Sequence, residues 1–198
     1  MRSTCRFLAV ALPLLITSAA SAQDPPAPPA QKGPSISPVF EFALEYGGDE
    51  VVELHFTNGD TQTLTAGQGG TLALGAVLRP RPGSPLGLRG TVGYKFLLNA
   101  SENADVRLTR IPVELVGTYR TANGLWAGVG YVYHAATHLH GDGFVEDISF
   151  GGAHGATVEV GWRYGALTYT AIGYADEEGN EVNASSIGGT VIIPLLRR

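Results

Sequence analysis

From Val39 onward, apolar residues recur on every second position, and the breaks in that rhythm fall on turn residues. A period of two sends successive side chains to opposite faces of an extended chain, so it dictates strands. No segment offers the 3.6-residue stripe that an amphipathic helix needs. Eight strands are expected, at about 39–46, 69–79, 86–97, 106–120, 125–138, 150–163, 166–175 and 183–196. Three connections are short: 79–85, 121–124 and a turn at 164–165. Four are longer or polar: 47–68, 98–105, 139–149 and 176–182. Such alternation trims one end of an antiparallel sheet and elaborates the other, the layout of transmembrane β-barrels.

The partition of charge between the two faces is sharper. One face carries Phe40, Phe42, Leu44 and Tyr46, then Leu72, Leu74 and Leu78, then Leu86, Leu88, Val92, Tyr94 and Phe96. It continues through Ile111, Val113, Leu115 and Tyr119, then Leu125, Val129, Tyr131 and Tyr133, then Val158, Val160, Trp162 and Tyr164. Ile187, Val191, Ile193 and Leu195 complete it, without one charged residue. The opposite face holds Glu41, Glu45, Arg89, Lys95, Arg110, Glu114, Glu159 and Arg163 among threonines and glycines. A soluble barrel would turn the apolar face inward and display many lysines, yet Lys32 and Lys95 are the only two. A membrane barrel inverts the arrangement: the apolar face meets lipid and charges of both signs line the lumen. Aromatics collect near both ends of the strands, as interfacial girdles do. Strand 166–175 has no clear apolar face, so its register stays open, and Pro112 within a strand suggests a bulge. A second hairpin pattern, Val52, Leu54 and Phe56 against Leu64 and Ala66 across Asn58-Gly59, reads as the first two strands continuing above the membrane. Ten wall strands are the alternative.

Residues 1–22 read as a signal peptide: Arg2 and Arg6, an apolar run from Phe7 to Ile16, and the cleavage motif Ala20-Ser21-Ala22. Residues 23–38 are a Pro-rich periplasmic tail, and 39–198 the barrel. Cys5 falls in the removed segment, so the mature chain has no thiol chemistry. Charged residues are only 16% of the chain, and 27 glycines are present. A lipid-facing exterior around a narrow lumen accounts for both. The formal net charge of −5 argues against nucleic acid as a partner.

Local wording supports the same reading. Ile111-Pro112-Val113-Glu114-Leu115 leads to Tyr119-Arg120, followed by Trp126-Ala127-Gly128-Val129-Gly130-Tyr131. With the strand layout over 39–196, this resembles the small outer-membrane β-barrels of the OmpA membrane-domain and OmpX type. The resemblance implies an all-β, eight-stranded antiparallel transmembrane barrel with an extracellular hairpin extension, located in the outer membrane. It also implies a monomer in contact with membrane lipid and lipopolysaccharide, inserted by the barrel-assembly machinery. That family usually ends on an aromatic residue, whereas this chain ends Leu195-Leu196-Arg197-Arg198.

The candidate functional residues fall into three groups. The lumenal charges Glu41, Glu45, Arg89, Lys95, Arg110, Glu114, Glu159 and Arg163 are expected to form a salt-bridge network closing the interior. His134, His138 and His140 share parity with Asp142 and are expected on the lumen side, where neighbouring imidazoles suit Zn²⁺ or Cu²⁺. Asp49, Glu50, Glu53, Asp60 and most other acids occupy the long connections, where divalent cations are possible partners. The short-turn end instead holds Lys32, Arg79, Arg81, Arg120, Arg163, Arg197 and Arg198. No catalytic constellation and no cofactor motif stands out, and no Ser is adjacent to a His. The expected role is non-enzymatic, in envelope integrity or surface interaction. A small pore and a lipid A-modifying enzyme are the alternatives.

Overall fold

A computed structural model describes residues 33–55, 61–97, 107–140, 148–175, 179 and 181–196. The signal peptide, residues 23–32 of the Pro-rich tail and the Asn58-Gly59 turn lie outside the described residues. The described residues form twelve strands: β1 (Ser35–Tyr46), β2 (Glu50–His55), β3 (Thr61–Thr65), β4 (Gly69–Arg79), β5 (Leu86–Phe96), β6 (Arg107–Arg120), β7 (Leu125–His140), β8 (Ile148–Phe150), β9 (Ala153–Trp162), β10 (Gly165–Ala175), β11 (Glu181–Asn183) and β12 (Ser186–Pro194).

Eight of them close on themselves. The antiparallel order runs β1-β4-β5-β6-β7-β9-β10-β12, and β12 returns to β1 from Val39↔Pro194 to Tyr46↔Ile187. Closure pairs every wall strand on both sides, which a sheet in hydrocarbon requires. Among the described residues no helix is long and apolar enough to cross a membrane. A strand of 11 residues such as β4 reaches about 36 Å, enough at ~40° tilt to span the ~25 Å apolar band of such barrels.

The hairpin β2–β3 is a separate two-stranded sheet. It does not continue the wall as the sequence pattern suggested. Pairing of β1 with β4 ends at Glu45↔Gly69, and ahead of β4 the stretch Leu64, Thr65 and Ala66 turns inward and is buried. Ten wall strands are thereby set aside. The short strands β8 and β11 extend β7 and β10 at the same long-loop end. The Pro-rich segment also ends sooner than expected: Ser35–Pro38 already pair with β4, Pro38 opposite Ala76. Pro38 lies beyond the reach of the β12 ladder, which begins at Val39, so its missing N–H disturbs little there.

The wall shows the inverted polarity read from the sequence. Leu44, Leu74, Val92, Leu115, Val129, Val158, Val160 and Ile187 are exposed on the exterior, while Glu41, Thr71, Arg89, Lys95, Arg110, Thr157 and Glu159 are buried inside. Strand β10 gains its register: Leu167 and Tyr169 face outward, and Thr168, Thr170, Ile172 and Tyr174 face inward. Its faces were hard to separate because the inward side mixes threonines with two large side chains. Small residues make room for large ones, and a Cβ at Gly161 would overlap the Trp126 ring. The architecture is a closed eight-stranded transmembrane β-barrel, as in small outer-membrane barrels.

An arginine at the middle of the lipid face should cost ~2–4 kcal/mol. Leu74→Arg, at the centre of β4, is therefore expected to lower the denaturant midpoint in phospholipid bilayers by an amount of that size. Equal stability of the variant and wild type would mean that this face does not meet lipid.

Candidate functional site

The lumen is organised by Arg89 on β5. Its guanidinium forms a two-pronged bond to Glu159 on β9, with Nη2 donating to Oε1 at 2.6 Å and Nη1 donating to Oε2 at 3.0 Å. Nε stands 3.3 Å from Glu41 Oε2 on β1, and Nη2 stands 3.9 Å from Glu114 Oε2 on β6. Strands β1 and β9 are not ladder neighbours of β5, so these contacts cross the interior. The rigid planar fork of arginine suits such bridging better than an ammonium.

Toward the long-loop end, Lys95 Nζ donates to Glu45 Oε2 at 2.6 Å. The other oxygen of Glu45 accepts from Ser186 Oγ at 2.9 Å and from Thr170 Oγ1 at 3.4 Å. One carboxylate thus links β1, β5, β10 and β12. Arg110 works differently, because its described partners are all uncharged. It donates to Tyr174 Oη at 2.9 Å, to Gln68 O at 2.7 Å, and to Ala66 O. The segment after β3 is thereby held in the barrel mouth. Gly67 permits this, since a Cβ there would collide with three carbonyl oxygens of residues 47, 184 and 185. Above Arg110, Ala66, Val132, Ala153, Ile172, Tyr174 and Ala184 pack as a buried apolar cluster.

Seven of the eight expected network residues therefore line the lumen, where direct ion pairs join Arg89 to Glu41, Glu114 and Glu159, and Lys95 to Glu45. Arg163 departs from the expectation. It occupies the β9–β10 turn with φ +53°, which swings its side chain out of the strand's alternation and over the Trp162 ring, 4.4 Å from the centroid.

The histidines also depart from it. Ala136 has φ +47°, and the β6–β7 register slips there, with Thr109 opposite His138 but Ile111 opposite Ala135. The extra residue on β7 reverses parity: His134 is buried in the lumen, while His138 is exposed and bonds Ser149 at 3.1 Å. His134 Nδ1 is instead 2.5 Å from Tyr174 Oη. The bulge that Pro112 suggested thus lies on the partner strand, and Pro112 itself stays in register opposite His134. Among the described residues no group of three metal-binding side chains gathers. The side chain of His140 and all of Asp142 lie outside the described residues.

Sequence reasoning missed Tyr174 and the inward segment 65–68. Tyr174 shares parity with Thr168 and Thr170, but its partner Arg110 is on β6, and only the closed barrel reveals the pairing. Of the long-loop acids, Asp49, Glu50, Glu53 and Glu181 are described and exposed, and Asp49 Oδ2 accepts from the Asn183 backbone N–H at 2.8 Å. Asp60, Glu102, Asp105, Asp142, Glu146, Asp147, Asp176, Glu177 and Glu178 lie outside the described residues.

No protein-family model and no curated protein matches the chain. Among solved structures it is similar to Ail, the attachment invasion locus protein of Yersinia pestis, at 12% identity and a TM-score of 0.42, covering 82% of this chain and 100% of that one. It is similar to Neisserial surface protein A at 14% identity and a TM-score of 0.43, covering 80% and 98%. A major outer membrane protein from Thermus thermophilus matches at 13% identity and a TM-score of 0.28, covering 79% and 100%. The fold rests on the strand pairing and the exterior described above, independently of these likenesses.

Removing one partner of a buried ion pair typically costs ~3–5 kcal/mol. Arg89→Met strands Glu41 and Glu159 together and is expected to lose at least that much stability in denaturant titration of the detergent-folded protein. Glu114→Gln removes only the 3.9 Å contact of a side chain still 18% exposed, and should cost less than a third as much. Equal losses for the two variants would contradict Arg89 as the hub.

Proposed function

We propose that the chain is a monomeric, non-enzymatic outer-membrane barrel whose lumen does not conduct, serving envelope integrity or surface interaction through its long-loop end. The observation that carries this reading is the crossing of the interior by Arg89, ion-paired with carboxylates from β1, β6 and β9. An eight-stranded barrel has room for side chains and little else. The Arg110 bonds to Ala66 and Gln68 add a second layer of side chain and backbone at the mouth.

The connections support one orientation. β1 begins and β12 ends at the short-turn end, paired at Val39↔Pro194. A chain delivered from the periplasm by a signal peptide inserts with that end inward, leaving the β2–β3 hairpin and the exposed Asp49, Glu50, Glu53 and Glu181 at the cell surface. In this reading the partners are membrane lipid and lipopolysaccharide, the barrel-assembly machinery during insertion, and divalent cations at the acidic loops.

Planar-bilayer recording tests the closed lumen. The wild type is expected to be electrically silent, and Arg89→Ala with Arg110→Ala is expected to open brief conductances. Steady channels from the wild type would replace this reading with that of a small pore. A deletion strain with unaltered resistance to detergents and bile salts would count against the envelope role.

A further inference from the structure

The exterior wall changes character at the long-loop end of β10. Leu167 and Tyr169 face outward lower on the strand, as large as the rest of the lipid face. The next three outward positions are Ala171, Gly173 and Ala175, all exposed. They floor a groove of about 570 Å³, within the size range of small-ligand sites. His154 on β9 borders the groove on one side, and Asp49, Glu181 and Asn183 border it on the other. The β9–β10 ladder stops at Ile172↔Gly155, so His154 and Gly173 stand just past its end. Gly173 is opposite Asn183 on β11.

Both walls are fixed before any ligand arrives. Tyr131 Oη is bonded to His154 Nδ1, and the Tyr133 ring lies 4.9 Å from the imidazole, centroid to centroid. A Cβ at Gly152 would strike the Tyr133 ring, so glycine there makes room for it. Among the described residues nothing bonds His154 Nε2. Across the floor, Asp49 Oδ2 accepts from the Asn183 backbone N–H at 2.8 Å, and Asn183 Oδ1 accepts from the Ser185 N–H at 3.0 Å. The Asn183 carboxamide keeps its two N–H donors for a ligand. Glu181 is exposed and makes no ion pair among the described residues. The groove has no Lys or Arg in its lining. The connections at this end that lie outside the described residues, 56–60, 98–106, 141–147, 176–178 and 180, hold none either.

Depth and charge together decide what fits. Tyr131 and Tyr169 are exposed at the foot of the groove: Tyr131 and Ala171 both stand opposite Ala156, and Tyr169 precedes Ala171 on the same face. Such aromatics settle at the membrane interface, so the groove opens just above it. A pyranose ring has an apolar C–H face for a floor of small residues and hydroxyls for an imidazole and a carboxamide. Two carboxylates without a cation favour an ammonium on that ring over an acetamide, a sulfate or a phosphate. We propose that this groove binds the amino sugar of a soluble saccharide reaching the cell surface. The ring lies over Ala171 and Gly173, its hydroxyls meet His154 and Asn183, and its ammonium faces Glu181 and Asp49. This inference rests on the surface-interaction reading above and gives it a partner.

Isothermal titration calorimetry of the full chain with a β-linked glucosamine trimer tests it, in micelles of a polyoxyethylene detergent that carries no sugar. Saturable binding is expected, with the N-acetylated trimer weaker by about fivefold, the size of one exposed ion pair. Glu181→Gln should remove most of that preference and leave the N-acetylated trimer unaffected. Gly173→Leu fills the groove from outside, because a Cβ there meets only the Val182 carbonyl at an ordinary 3.6 Å. It should abolish binding of both trimers, and Ala171→Leu serves the same purpose where the first variant fails to fold. No saturable binding to the folded wild type, or undiminished binding to the folded leucine variants, would overturn the site. Equal affinity for the two trimers would overturn the amino-sugar assignment. Trilysine binding as tightly as the glucosamine trimer would show a site for any cation and overturn the saccharide. Binding seen only with a lipid-linked trimer would overturn the soluble source. Heat-modifiable gel migration reports folding of each protein. A folded, electrically silent wild type that binds no trimer defeats only this inference, whereas steady channels defeat the reading above whatever the trimer does.

Discussion

Everything in this molecule depends on the seam where β12 meets β1. A backbone N–H or C=O left unpaired in hydrocarbon costs several kcal/mol, so a sheet can enter a membrane only when its last strand pairs with its first. The eight consecutive partners from Val39↔Pro194 to Tyr46↔Ile187 make that seam a full ladder. Gly188 and Gly189 on β12 lie opposite Glu45 and Leu44, and a Cβ at Gly188 would strike the backbone and side chain of β1. Gly188 is thus a condition of closure, and closure is what permits the exterior to be apolar.

Closure also creates the problem that the lumenal charges answer. With eight strands the inward side chains face one another across a narrow interior, away from bulk water, so each ion needs partners in place. Arg89 and Glu159 satisfy each other with two bonds, and Glu45 is met by Lys95, Ser186 and Thr170 together. The bonds from Arg89 to Glu159 and from Lys95 and Thr170 to Glu45 connect strands that are not ladder neighbours, adding cross-links that the ladder does not supply. Threonines fill the intervals, as where Thr168 and Thr190 hydroxyls meet at 2.8 Å.

Most of the barrel was legible because lipid imposes a strict alternation that a sequence cannot hide. The residues from Phe40 to Tyr46 and from Leu125 to Tyr133 show the lipid face by parity alone, and seven lumenal charges followed from the same parity. What escaped was wherever parity is broken or carried by something other than polarity. The left-handed Ala136 inserts one residue and sends His138 outward; no sequence signal distinguishes that alanine from Ala135. Arg163 belonged to the inward parity set but sits in a two-residue turn, where alternation ends. In β10 the inward Ile172 and Tyr174 blur the two faces and leave the register open, because their neighbours in the mouth, Ala66 and Ala184, come from distant parts of the chain.

The two ends of the barrel are chemically unlike, and the reason is visible in how each is built. At the long-loop end the wall loosens into β8, β11 and the separate β2–β3 sheet, so its polar side chains, Asp49, Glu50, Glu53 and Glu181, project from chain that need not satisfy the ladder. At the other end the strands are joined by tight turns stapled to each other through Pro85 and Gly124 carbonyls, leaving little freedom for side chains to find distant partners. An acidic group placed among those turns would pair with Arg79, Arg120 or Arg163 and neutralise the rim. With none there among the described residues, Arg120 and Arg163 rest on the indoles of Trp126 and Trp162. Arg120 also donates a guanidinium N–H to the Arg163 carbonyl, so the turns themselves hold it in place. One end is thus fixed by turns bonded to one another, and the other is left to chain that pairs outside the closed wall.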